Sequence, residues 1–399
     1  MTFAIDYFRL CGVRRCSVMP AAVLTLLLTV LSCGRVENPR ESGESAGRAV
    51  YVDGELLKDF KPKSQLATTV TQVDRPRFQA IDIHCHWSAT VEPANLIAAM
   101  DRLGIKAAVN LSGGWGDALE TQLARYHRAA PERLLIFANV EFSQTSEPGF
   151  ATKTASKLRD YHRRGIAGLK VFKSLGLTVL DSTQKLVAID DERLGPIWEA
   201  CGELQIPVLI HAADPPAFFE PVDSLNERWM QLKRHPDWSF AKPPYPPREV
   251  VLRQRNRVFK AHPRTVFIVA HLGEHGDDLK AAARLLDEFP NLYMDLSGRE
   301  AELGRQPYAA RRFLIQYANR ILFGTDRYPG RRDQPRNQLY YRLLETDDEY
   351  FDYYDHPFPP GGDWKVYGLF LPDEVLRRIY HDNAARALRG LPPLIGTKE

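Results

Sequence analysis

The chain lacks any excess of charge: 53 lysines and arginines stand against 50 aspartates and glutamates, a formal net charge of +3 over 399 residues. A nucleic-acid surface needs a basic stripe or patch to neutralise phosphates. The pairs Arg311-Arg312 and Arg331-Arg332 are too isolated to form one, so nucleic acid is excluded as a partner. Cysteine is scarce too. Of five, Cys11, Cys16 and Cys33 fall at the extreme N-terminus, which leaves only Cys85 and Cys201 for the folded body. That is no disulfide framework, and free buried thiols are expected. Long apolar runs are missing with one exception, Val18 to Leu31, which is shorter than the roughly 20 residues that cross a bilayer.

That run follows Arg14-Arg15, ends in Val30-Leu31-Ser32-Cys33-Gly34 and then turns abruptly polar. A basic head, a short apolar core and a small residue before a cysteine resemble a bacterial lipoprotein signal. The resemblance implies cleavage before Cys33, lipid attachment to that cysteine, and an exported protein anchored on a membrane facing the periplasm or cell exterior. A retained membrane anchor is the alternative. Residues 1–33 read as the signal, 34–77, rich in Ser, Glu, Lys and Arg, as a polar tether and lead-in segment, and 78–392 as the catalytic domain.

From Ala80 onward, short apolar strand-like runs alternate with stretches whose apolar residues recur at helical spacing, the pattern of parallel βα units. Eight strands are expected, over 80–84, 107–111, 134–140, 168–172, 207–211, 266–271, 292–296 and 321–325. Helices are expected over 93–103, 117–130, 152–164, 191–204, 277–289 and 307–317, with a closing helix over 372–388. Eight such units close a (β/α)8 TIM barrel, whose active site gathers at the C-terminal ends of the strands. An open doubly wound sheet alternates in the same way but gives no reason for metal-type residues to recur at so many strand ends. The stretch 212–263, rich in Pro, Trp and Phe, is expected to fold over the mouth as a lid or substrate wall. The chain beyond Asp326 reads as an elaborated final loop.

Ala80-Ile81-Asp82-Ile83-His84-Cys85-His86 sets two imidazoles two residues apart at a strand end, so both project to one side while Cys85 points away. Val208-Leu209-Ile210-His211 and Phe267-Ile268-Val269-Ala270-His271 repeat the plan of an apolar strand ending in histidine. Leu322-Phe323-Gly324-Thr325-Asp326 ends in a carboxylate. A lone histidine after an apolar run is ordinary. Four histidines and an aspartate at the ends of strands one, five, six and eight indicate a shared metal-type site.

The order His-x-His, His, His, Asp resembles the amidohydrolase superfamily. In particular it resembles the amidohydrolase-related branch that includes aminocarboxymuconate-semialdehyde decarboxylase-like enzymes, over roughly 81–388. The motifs are Asp82-Ile83-His84-Cys85-His86, His211, Ala270-His271, Gly324-Thr325-Asp326 and Tyr380-His381-Asp382-Asn383-Ala384-Ala385-Arg386. The resemblance implies that His84, His86, His211 and Asp326 ligate a divalent metal, zinc before manganese, and one ion rather than two. It also implies that His271 faces the substrate as acid, base or electrostatic aid. Zinc lowers the pKa of bound water from about 15.7 towards 7. Asp326 would hold or deprotonate such a water, which would attack an amide, ester or lactone. In the alternative, non-oxidative decarboxylation of an unsaturated or aromatic acid, a protonated group at His271 would return a proton to carbon. A non-catalytic metal-binding lipoprotein is a third possibility, weakened by the filled ligand positions.

Lys170 falls on strand four, where binuclear members of the superfamily carry a carboxylated lysine bridging two metals; a substrate-binding or structural role is the alternative. Lys170 and Lys173 differ by an odd number of positions, so at most one is expected inside the barrel. Weaker candidates near the mouth are Glu274, His275, Arg327 and Tyr328, and Trp87, Trp115, Phe218 and Trp229 for an aromatic pocket. The expected partner is a small-molecule substrate, and related barrels often form homodimers.

Overall fold

The structure is a computed structural model that describes residues 62–327, 329, 336–354 and 361–389. The expected signal, its Cys33 and most of the tether lie outside the described residues, as do Tyr328 and 355–360. Among the described residues no helix is long and apolar enough to cross a membrane. Residues 62–65 carry no helix or strand, and the chain from Leu66 onward forms one compact unit.

Eight parallel strands follow one another in order: β1 Ala80–Cys85, β2 Ile105–Asn110, β3 Leu134–Asn139, β4 Ile166–Val171, β5 Val208–Ile210, β6 Phe267–Val269, β7 Leu292–Asp295 and β8 Ile321–Leu322. Between β8 and β1 the Ile83 N–H donates to the Phe323 carbonyl at 3.0 Å, and the Asp326 N–H to the His84 carbonyl at 2.8 Å. The barrel is the expected (β/α)8 fold.

Strand alternation builds two apolar layers. Ile81, Ile83, Ala107, Val109, Phe137, Leu209, Ile268 and Leu322 fill one cluster inside the barrel. Ala80, Ala108, Ile136, Leu169, Val171 and Val208 belong to the larger one between strands and helices. On β4 this parity turns Gly168 and Lys170 inward. A Cβ on Gly168 would lie 2.4 Å from the Phe137 ring, so only glycine lets that ring fill the interior. On β1 strict alternation would put His84 on the outer face with Ala80 and Asp82. The register with β2 slips by one residue between Asp82 and Cys85, and beyond the slip Cys85 joins the outer core. The bulge thereby aims His84 and His86 inward.

Most expected helices appear within a residue or two, such as Pro93–Leu103 and Pro307–Gln316. The 212–263 stretch is a correction. Its last third is a regular 14-residue helix, Arg248–Ala261, and only 212–247 forms an irregular covering with short turns at Pro216–Phe219, Trp229–Leu232 and Pro236–Trp238. The helix hides its amphipathic pattern because arginines, Arg248 and Arg255, sit on its buried face beside Val251, Leu252, Val258 and Phe259. The chain beyond Asp326 adds a helix, Arg336–Glu345, and a two-stranded hairpin, Phe351–Asp352 with Lys365–Val366. The closing helix begins at Asp373 and runs to Leu388 through a π-turn at Arg378–Asp382.

Candidate metal centre

At the C-terminal mouth, His84 and His86 from β1 meet Asp326 from the end of β8: each imidazole Nε2 lies 3.4 Å from Asp326 Oδ1. Asp326 takes a left-handed backbone conformation (φ 58°), uncommon for a residue with a side chain. Asp82 stabilises this junction. Its buried carboxylate accepts the Thr325 hydroxyl at 2.7 Å and the backbone N–H groups of Thr325 and His84 at 3.1 and 3.2 Å. Burial raises the Asp82 pKa to about 7, although these hydrogen bonds favour its charged form.

The tautomers follow from the partners. His84 Nδ1 lies 2.8 Å from the buried Asp295 carboxylate, which as an ion only accepts, so Nδ1 carries the proton and Nε2 presents a lone pair towards Asp326. His86 Nδ1 is held by the Ser112 hydroxyl at 2.7 Å. Two imidazole nitrogens and a carboxylate oxygen, all within 4.8 Å of one another, are a donor set that fits a divalent ion of the zinc or manganese kind. Burial pushes the Asp326 carboxyl up, but the His86 hydrogen bond and the neighbouring His84 and His271 together hold it well below the ordinary range.

A second grouping, His84, His271 and Asp295, is as compact. Its atoms are already engaged with one another. Asp295 accepts from His84, from the His271 N–H at 2.9 Å and from the Ser297 hydroxyl at 2.5 Å. We read it as the support beneath the first grouping rather than a second ion site. His271 Nδ1 lies 2.7 Å from the Ser297 carbonyl, which can only accept; its Nε2 is therefore unprotonated and able to accept. Burial, reinforced by His211 and Arg299, keeps His271 neutral well below the ordinary imidazole pKa.

His211, at the end of β5, packs edge-on against His271 with ring centroids 4.5 Å apart. Its Nε2 lies 3.0 Å from the Ala213 carbonyl and 3.5 Å from Asp214. With Nε2 protonated, His211 can offer a metal only Nδ1. Of the expected ligands, the structure therefore gathers His84, His86 and Asp326 and sets His211 one ring further out, against His271.

Lys170 is buried, and among the described residues its Nζ has no hydrogen-bond partner. Burial lowers its pKa to about 8, against the opposing pull of Asp295 and Asp326. Lys173 lies beyond the last residue of β4, where alternation no longer applies, and pairs with Asp214 at the mouth. Both lysines thus reach the site, one inside the barrel and one at its rim.

Above the centre lies a cavity of about 320 Å³ that His211, His271 and Asp326 share with five cations, Lys173, Arg228, Arg299, Arg327 and Arg336, and three further carboxylates, Asp214, Glu300 and Glu302. Arg336 bonds Glu300 at 3.1 Å and the Thr325 carbonyl at 3.2 Å; Arg299 donates to the His271 and Gly298 carbonyls at 3.3 and 2.6 Å. Phe218 and Trp238 supply apolar wall. Trp87 and Trp115 pack elsewhere, on Tyr126 and Tyr161, while Trp229 carries Lys233 over its ring. Sequence reasoning missed Asp295, Ser297, Asp214, Arg299 and Arg336. Asp295 alone left a signal, a carboxylate closing an apolar strand as Asp326 does.

The amidohydrolase family model matches residues 81–390, more than three quarters of the chain. The chain belongs to the amidohydrolase family. No curated protein matches this amidohydrolase. Among solved structures, it is similar to 2,6-dihydroxybenzoate decarboxylase from Rhizobium, at 17% identity over 78% of this chain and 99% of that one (TM-score 0.48). Dihydroxybenzoic acid decarboxylase from Polaromonas sp. JS666, with bound manganese and 2-nitroresorcinol, matches at 15% over 78% and 97% (TM-score 0.49). Dihydroorotase from Campylobacter jejuni matches at 15% over 77% and 82% (TM-score 0.42). Likenesses of this size leave the reaction of this amidohydrolase to be argued from its own residues.

Proposed function

We propose that this amidohydrolase is a metal-dependent hydrolase that adds water across an amide, ester or lactone bond of a small anionic molecule. The observation that carries the reading is the pair of proton acceptors at the mouth: the Asp326 carboxylate, and His271 with its Nδ1 proton committed to the Ser297 carbonyl. His84, His86 and Asp326 would hold the ion, with His211 joining through Nδ1. A bound zinc or manganese would supply Lewis acidity, polarising a carbonyl and easing the ionisation of water.

The chain's own groups do the rest. Asp326 accepts a proton from water at its carboxylate. His271 Nε2 accepts a second hydrogen bond from the reacting groups and can carry a proton to the leaving atom. The five cations of the cavity outnumber its four carboxylates, Asp214, Glu300, Glu302 and Asp326, a small positive excess that would favour an anionic substrate, and Phe218 and Trp238 limit water around it. As part of the same proposal, the enzyme is exported and held at a membrane by lipid on Cys33.

A second reading, non-oxidative decarboxylation, is favoured by Lys170, a buried amine without a hydrogen-bond partner among the described residues, which could return a proton to carbon. Turnover in ¹⁸O-water separates the two. Metal-loaded enzyme is incubated with panels of lactones, esters and amides that bear a carboxylate, and with aromatic acids. Hydrolysis puts ¹⁸O into the product acid. Release of CO2 from an aromatic acid, with no label in the aromatic product, would sink the hydrolase reading and put Lys170 at the centre of the mechanism.

A further inference from the structure

The Arg248–Ala261 helix reaches the loops that carry His211 and His271 through two of its arginines, and between them stands a buried glutamate. We propose that Glu274, Arg255 and Arg248 are positioning residues, a brace that locks the loop after β5 to the loop after β6 and so fixes His211 against His271. The inference rests on the reading of His271 as a proton acceptor at the reaction centre.

Glu274 is 1% exposed and Arg255 0%. One Glu274 carboxylate oxygen accepts the backbone N–H groups of Ala212 and Ala213, at 2.9 and 3.5 Å, directly after His211. The other oxygen takes Arg255, whose guanidinium also donates to the Gly273 carbonyl at 2.9 Å and to Asn256 at 3.0 and 3.1 Å. Arg248 completes the frame, donating to the Glu274 carbonyl and, at 2.9 Å, to the Asp214 carbonyl. One glutamate and two arginines thus tie residues 212–214 to residues 273–274, and each tied segment leads directly to an imidazole.

The β6 loop needs such a tie. His271, Leu272 and Glu274 all take left-handed φ values, 56°, 57° and 62°, with Gly273 between them at 65°. L-residues with side chains avoid this region, and a run of them persists only where the surroundings over-determine it. Charge-assisted bonds fix direction as well as distance, which apolar packing does not. The conformation they hold turns the His271 ring to the Ser297 carbonyl and towards His211. Fold stability alone does not call for this brace, since a buried ion pair can often be exchanged for a neutral pair at little cost.

That exchange is the test. Glu274→Gln alone strands the Arg255 charge in the interior and is expected to melt early, so the informative protein is the full chain carrying Glu274→Gln with Arg255→Met. It is expected to melt within about 5 °C of the parent and, at saturating zinc, to hold the same one equivalent, because His84, His86 and Asp326 stand at the ends of β1 and β8 and only His211 lies in a loosened loop. Backbone hydrogen exchange at 212–214 and 272–275 should accelerate by about tenfold or more, while 80–86 and 321–326 stay unchanged. On any substrate the parent hydrolyses, kcat should fall by about 100-fold with KM altered much less. Unchanged exchange in the two loops would overturn the proposal, and so would faster exchange across the whole barrel, which marks a merely structural role. The exchange readout needs no substrate. Accelerated loops in an enzyme that hydrolyses nothing would therefore keep the brace and reject the hydrolase reading.

Discussion

His84 Nδ1 donates a hydrogen bond to the Asp295 carboxylate across 2.8 Å, and both side chains are shut away from solvent. The pair fixes the ring so that its other nitrogen faces the metal position, as an outer-shell carboxylate does for a metal-bound imidazole. Asp295→Ala should therefore weaken zinc affinity about 10- to 100-fold without touching a ligand. Competition with a chromophoric chelator measures it. Equal affinity in the two proteins would remove Asp295 from the site.

His271 is held by Ser297 and Asp295 and lies outside the His84, His86 and Asp326 set. His271→Gln is expected to keep its metal and lose about 10²- to 10⁴-fold in kcat, the range of a lost general acid or base. Loss of metal in step with activity would instead make His271 a ligand.

His275 stands beside the arginines of the brace. Burial, with Arg255 and Arg248 adding to it, lowers its pKa from 6.5 to about 3. The protonated form is thus disfavoured in the fold. The stability contributed by the neutral ring is complete above pH 6.5 and drains away as the pH falls towards 3. Urea unfolding at pH 7.5 and 4.5 should show the parent losing more stability between the two than His275→Gln does; equal losses would contradict the shift.

Burial pushes the Cys201 thiol up to about 12 and Cys85 well above the ordinary thiol range. Neither is a thiolate at pH 8, and the thiolate is the reactive form. Alkylation of the native protein followed by peptide mass spectrometry should leave both unmodified, with labelling only in urea. Rapid native labelling of Cys85 would place it in the site rather than in the outer core.

Much of this was legible in the sequence because the barrel writes its plan in alternation. Apolar runs ending in His84, His211, His271 and Asp326 mark four strand ends, and the rarity of such endings makes them informative. Other features leave no such trace. The bulge that aims His84 inward lies in the register with β2, which no single strand reveals. Asp295 ends an apolar run too, but a single acid at a strand boundary looks like the start of a loop. The Arg248–Ala261 helix was hidden by its function, since Arg248 and Arg255 occupy core positions that a hydrophobic pattern reserves for apolar residues. Arg299, just before one short helix, and Arg336, at the start of the Arg336–Glu345 helix, reach the cavity from separate elements, a closeness that only the folded chain creates.

The most direct measurement is metal per chain by elemental analysis, on protein purified without chelator and then supplied with zinc or manganese, beside a His84→Ala, His86→Ala variant. One equivalent in the parent and none in the variant is the expected result. Two equivalents would bring in Lys170 as a bridge between ions. A parent that holds no metal after both ions are offered would contradict the metal-dependent mechanism outright.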